Sequence, residues 1–118
     1  MSAEVTDVVD ALGALAQETR LAVFRLLVQA GPGGVAAGEL AAHLDVPPAT
    51  LSFHLNQLRA ADLVRSQRQS RSIFYKANFE RMDALMSFLT RNCCAGLSPR
   101  LRSKGCRAAN SPPTGEIT

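Results

Sequence analysis

Residues 48–76 read Pro-Ala-Thr-Leu-Ser-Phe-His-Leu-Asn-Gln-Leu-Arg-Ala-Ala-Asp-Leu-Val-Arg-Ser-Gln-Arg-Gln-Ser-Arg-Ser-Ile-Phe-Tyr-Lys. The hydrophobic period changes partway through this stretch. Up to Ala61, Leu51, Leu55 and Leu58 recur at helical spacing, and Pro48 suits a first helical position, where its missing N–H has no partner to lose. From Leu63 the reading becomes two strands, Leu63–Arg68 and Ser72–Lys76, around Gln69-Ser70-Arg71. The β-branched and aromatic content of Ile73-Phe74-Tyr75 supports the second strand.

Four more helices lie outside this stretch. Val5, Val8, Val9, Leu12 and Leu15 predict a helix over about Val5–Ala16, with Glu4 and Asp7 at its positive N-terminal end. After a break at 17–19, Thr19–Gln29 reads as a second helix with Leu21, Phe24, Leu27 and Val28 inward. Gly31-Pro32-Gly33-Gly34 stops it. Ala37–Leu44 is a short third helix, and Asp45-Val46-Pro47-Pro48 turns the chain into the fourth. A fifth helix starts near Asn78, a good N-cap, with the stripe Phe79, Met82, Leu85, Met86 and Leu89. The expected fold class is mainly α with a small antiparallel β-hairpin: a winged helix-turn-helix of about five helices and a two-stranded wing. The division expected is one folded domain over 1–92, a segment carrying the cysteines over 93–106, and a disordered tail over 107–118 that ends Ser-Pro-Pro-Thr-Gly-Glu-Ile-Thr.

The 118 residues suffice for one small domain. At 47% hydrophobic and 19% charged, the composition is globular. No apolar run approaches the ~18–20 residues that span a bilayer. The N-terminus carries acid where a signal peptide carries base, so a cytoplasmic protein is expected. No phosphate-binding loop, nucleophile elbow or carboxylate pair has a place in so short a chain, and an enzyme is not expected. The net charge of +3 conceals a gradient: −4 over residues 1–58, +4 over 59–76 and +3 over 77–118. A short basic block after an acidic half suits contact with a polyanion at one place; a solvated charged hairpin would show the same pattern.

Projected at 100° per residue, the fourth helix turns Leu51, Leu55 and Leu58 to the core. Ala49, Thr50, Phe53, Asn56 and Gln57 fall opposite, with Ser52 at the flank. Asn and Gln pair bidentately with adenine, and Thr, Ala and Phe contact thymine methyl groups. An ordinary solvent face would also carry Asn and Gln. Arg68 and Arg71 flank the wing tip, where phosphate or the minor groove would meet them; Arg65 reads equally well as a solvated strand residue. His54 and His43 are expected to be packed, hydrogen-bonded imidazoles, not metal ligands.

The segment Ser52-Phe53-His54-Leu55-Asn56-Gln57-Leu58 resembles the Ser-x-His-Leu-x-x-Leu recognition helix of the ArsR/SmtB family of bacterial metal-responsive repressors. Glu18-Thr19-Arg20-Leu21 resembles that family's Pro-Thr-Arg-Leu, with Glu18 in place of Pro, and Arg71–Tyr75 resembles its wing strand. The resemblance covers roughly residues 8–92. It implies a homodimer built on the first and fifth helices, and symmetric half-sites on double-stranded operator DNA. The chain departs from the family twice: Asp62 and Ser70 stand where glycine is common. Asp tolerates the left-handed conformation better than most residues, and the Ser70 turn is open to a different type.

Two effector sites of the family are missing. The third helix has Gly38-Glu39-Leu40-Ala41-Ala42-His43-Leu44 where many arsenical sensors carry Cys-Val-Cys, and Asp83 lacks the histidine partners of the zinc sensors. What remains is Cys93, Cys94 and Cys106, an odd number of cysteines that argues against a disulfide framework. This placement resembles a subgroup of arsenical repressors with a Cys-Cys pair after the fifth helix and a third Cys soon after. The resemblance implies trivalent arsenic as inducer: arsenite, antimonite or methylarsenite. Trivalent arsenic is soft and forms three bonds, which three thiolates satisfy. Arg91, Arg100, Arg102, Lys104 and Arg107 flank the thiols in sequence and favour thiolate. A redox switch, a zinc site, an incidental thiol cluster, a thiol enzyme and a protein-binding winged helix stay open at this point.

Overall fold

The computed structural model describes residues 3–94. Cys106 and the tail 107–118 lie outside the described residues. Within them are five helices and three strands: α1 Ala3–Leu15, α2 Glu18–Ala30, β1 Val35–Ala36, α3 Ala37–Leu44, α4 Pro48–Ala60, β2 Val64–Gln69, β3 Ser72–Ala77 and α5 Phe79–Thr90. The expected fold class is observed, with one addition. The wing is not a bare hairpin, because β1 joins it in an antiparallel sheet of order β1-β3-β2. Val35 pairs with Tyr75 and Ala36 with Phe74. Gly34 makes this approach possible: at φ 79°, a Cβ there would sit 2.7 Å from the Tyr75 carbonyl oxygen. Among the described residues no helix is long and apolar enough to cross a membrane.

The chain divides after Met86 into a body and a second unit beginning at Ser87. The core of the body is built from Val23 and Leu27 of α2, Leu40 of α3, and Leu51, Leu55 and Leu58 of α4, with Leu63 beside them, all fully buried. Burying each leucine contributes about 1.5–3 kcal/mol. This cluster seats α4 so that its opposite face turns outward.

Local caps hold the junctions on either side of the wing. Pro48 starts α4. At its other end Asp62 takes φ 63°, and the Leu63 N–H donates to the Leu58 carbonyl at 3.0 Å, the six-to-one bond of a Schellman ending. Asp62 thus takes the left-handed position that glycine more often fills at a helix end. Asn78 is buried and caps α5 as expected: its Oδ1 accepts from the Arg81 N–H at 3.3 Å, and its Nδ2 donates to the Asp62 carbonyl at 2.9 Å. One side chain therefore ties the end of α4 to the start of α5. At the wing tip Gln69 pairs with Ser72, leaving the two-residue turn Ser70-Arg71. Ser70 takes φ 55°, the positive φ that hairpin turns matching strand twist require.

Three expectations are corrected. Leu21 does not point inward but is 45% exposed; Val23, absent from the expected stripe, is fully buried in its place. His43 is not packed, since it lies on the exposed side of α3. On α1 the buried residue is Ala11, while Val9 and Leu12 are exposed. The buried faces of α1 and α2 are thus turned a fraction of a helical turn from where apolar spacing alone put them.

Candidate nucleic-acid interface

The face of α4 opposite its leucines is open. Ala49, Thr50, Ser52, Phe53, Asn56 and Gln57 are all exposed, and Phe53 is 56% accessible, an unusual position for so large an apolar side chain. Arg68 and Arg71 are likewise exposed, on β2 and in the turn. The residues expected to meet DNA are therefore accessible on two adjoining elements. Between those elements runs a groove lined by Asn56, Arg59, Ala60, Asp62, Val64, Arg65 and Ser66.

The register adds what the sequence reading left undecided. Arg65 stands directly opposite Lys76 on β3. Like charges facing each other across a ladder are destabilising, and a polyanion laid against them reverses that sign. Arg65 and Arg59 belong to the same groove as Asn56, so both join the candidate contacts. Both lie in the basic block the sequence shows, but the pairing of Arg65 with Lys76 needed the turn length.

His54 is buried, as expected, and has a specific partner. Its Nδ1 lies 3.1 Å from an Arg20 terminal nitrogen, while Arg20 Nε donates to the Ala14 carbonyl at 2.6 Å. Burial, and then the Arg20 charge, hold its pKa below the ordinary value of 6.5. The Phe53 ring meets the imidazole edge-on at 5.4 Å between centroids.

A helix-turn-helix domain family matches residues 15–67. The chain is 35% identical over 95 residues to a biofilm growth-associated repressor of Agrobacterium fabrum, covering 80% of this chain and 79% of that one. An ArsR-like transcriptional regulator from Rhodococcus superposes with a TM-score of 0.66 at 30% identity, over 74% of this chain and 79% of the other. A homodimeric winged helix-turn-helix DNA-binding domain from Mycobacterium bovis, described as a possible ArsR-family regulator, gives 0.61 at 27% identity, over 72% and 74%. This chain belongs to the ArsR family of winged-helix transcriptional regulators. These relatives regulate transcription, and the chain is a regulator, not an enzyme.

ArsR-family membership leaves the effector site to be read from the residues. Cys93 and Cys94 follow α5 within the second unit. Their sulfurs lie 3.7 Å apart, with Cys93 the donor of a weak S–H bond. The contact sets the Cys93 thiol beside a sulfur of Cys94 on the adjacent residue. Asn92 and Cys94 both take positive φ, 61° and 59°. Cys93 is a free, exposed thiol, whereas Cys94 is disulfide-bonded. Arg91 lies over the Phe88 ring at 5.0 Å. Among the described residues no three His, Cys, Asp or Glu side chains form a metal-binding group; the third expected ligand, Cys106, lies outside them.

Proposed function

We propose that the chain is a homodimeric repressor that occupies operator DNA and releases it when trivalent arsenic joins Cys93, Cys94 and Cys106. The observation that carries the DNA part is the exposed Thr50-Phe53-Asn56-Gln57 face of α4 beside an opposed Arg65–Lys76 pair. Two symmetric copies would present two such faces to successive major-groove half-sites. The exposed apolar residues Val9 and Leu12 of α1 and Met86 of α5 support the dimer, as does the homodimeric relative. The effector part is supported by the adjacency of Cys93 and Cys94 just after α5 and by the resemblance to arsenical repressors with cysteines at this place. Arsenous acid condensing with three thiols gives a trithiolate and three waters, with no net proton released. Zinc binding displaces thiol protons and weakens as pH falls. Full release of DNA requires about 5.5 kcal/mol of differential binding.

A second reading, thiol oxidation as the signal, is favoured by the disulfide at Cys94; arsenic capture needs the reduced form. One experiment separates them. Reduced protein on fluorescent DNA from upstream of its own gene is titrated with arsenite, methylarsenite, zinc and peroxide. Arsenite is expected to release wild type, and Cys93→Ser and Cys94→Ser are expected to bind DNA normally but not respond. Cys106→Ser is expected to lose the arsenite response and keep the methylarsenite response, which needs two sulfurs. Release of all three mutants at wild-type arsenite concentrations would sink the arsenic site. Release by peroxide alone would establish the redox reading.

A further inference from the structure

His54 is a buried titratable group that the DNA contacts leave unused. Its surroundings are unusually directional. A guanidinium has donors only, so the Nδ1 that faces Arg20 at 3.1 Å presents a lone pair and the imidazole proton sits on Nε2. The same Arg20 side chain donates through Nε to the Ala14 carbonyl near the end of α1, and its backbone N–H donates to Gln17 Oε1 at 2.8 Å, capping α2. A single fork thus joins α1, α2 and α4, and α4 carries the reading face.

We infer that Arg20 is a positioning residue for the recognition helix, that it acts through neutral His54, and that operator affinity therefore falls in acid. This rests on the DNA reading above. Protonation removes the acceptor and sets an imidazolium against a guanidinium. The other charged groups near these elements do not replace the bridge. On α1, Asp10 lines the cleft beside Arg20. On α2 the neighbouring Glu18 is exposed, as are Glu39 and His43 on α3, Arg59 on α4, and Arg65 and Arg68 on β2. Burial and the Arg20 charge lower the imidazole pKa, so the loss falls on the acid side of its ordinary value. The DNA-bound state keeps His54 neutral. Affinity then declines as pH falls through the imidazole pKa, approaching about tenfold per pH unit for each protomer below it, or about a hundredfold for a dimer with both His54 side chains engaged. Charge alone predicts the reverse, because a more cationic chain binds a polyanion more tightly.

The test uses the full chain and a duplex that the wild type selects from a randomised library. Anisotropy is read from about pH 7.5 to 5, where imidazole titrates and carboxylates stay largely charged. Wild type is expected to weaken towards acid. In His54→Asn the Oδ1 takes the place of Nδ1 as a non-titrating acceptor, so neutral-pH binding is expected to persist with a flat or tightening profile. Arg20→Lys keeps the charge but not the fork, and is expected to weaken binding at neutral pH and flatten the profile. Nitrogen NMR of the DNA-free wild type is expected to show the Nε2–H tautomer, and an Nδ1–H tautomer overturns the bridge irrespective of the variants. A selected duplex with wild-type affinity flat or tightening in acid, or falling equally in His54→Asn, overturns this inference alone. A selection that returns no preferred duplex overturns the DNA reading and the inference with it.

Discussion

Asp62 shows how one residue sets a junction. At φ 63° it closes α4, a conformation that costs an L-residue roughly 1–2 kcal/mol and glycine almost nothing. Its carbonyl is held by Asn78, so the backbone bond does not depend on the Asp side chain. Asp62→Gly is therefore expected to stabilise the chain by about 1 kcal/mol, less the extra freedom glycine has when unfolded. A chemical-denaturation midpoint measures this; a lower midpoint would mean that the carboxylate contributes more than the strain costs. The family's glycine preference flagged the position, and the conformation followed from it. His54 was equally legible as a packed imidazole, but its partner was not. Arg20 is 34 residues away in sequence, and no local pattern reports a contact at that separation.

At the scale of elements, the proposed DNA contact is divided between α4 and the wing. In the proposed complex the exposed arginines on the wing would meet phosphate and carry no sequence information, whereas Asn56 and Gln57 would face base edges. Replacing Arg65, Arg68 or Arg71 singly by Ala is expected to lower the salt slope of binding by about one unit, with similar losses on cognate and random duplexes. Gln57→Ala is expected to cost about 1–3 kcal/mol on the cognate duplex and little on random DNA. Equal losses on both would remove Gln57 from base reading, and an unchanged slope for Arg65→Ala would show that its pairing with Lys76 faces solvent only. The leucine stripe and Pro48 made α4 readable, and its outer face followed by projection. β1 was not readable: two residues after a glycine-rich turn hold no alternation, and Val35–Ala36 is a strand only because β3 offers it a free edge.

For the whole molecule the open question of assembly has a definite handle. Leu85 of the fifth-helix stripe is buried within the chain itself, whereas Met86 is 57% exposed. Charging Leu85 would therefore damage the core, and the residue to charge is Met86. Met86→Asp is expected to leave the fold intact by circular dichroism, to sediment as a monomer at micromolar concentration, and to lose tight operator binding. A wild type that sediments as a monomer under those conditions would exclude the dimer. α1 contributes through Val9 and Leu12, and the cleft between it and α5, about 310 Å³ and lined by Asp7, Val8, Ala11, Arg81 and Leu85 among others, is spanned at one edge by the Arg81–Asp7 ion pair at 3.9 Å.

Periodicity, proline and glycine placement and the basic block by themselves determined the helices, the hairpin, the polar face of α4 and the cysteine positions, because each is a property of residues within one or two turns of one another. Only the tertiary structure decided which apolar residues face inward and which outward: Val23 over Leu21, Ala11 over Leu12, Leu85 over Met86. A stripe three or four residues wide has two edges, and the neighbouring helix chooses between them. The same holds for the Arg65–Lys76 pair and the Arg20 fork. Their geometry depends on turn length and on contacts between distant segments, which local sequence does not encode.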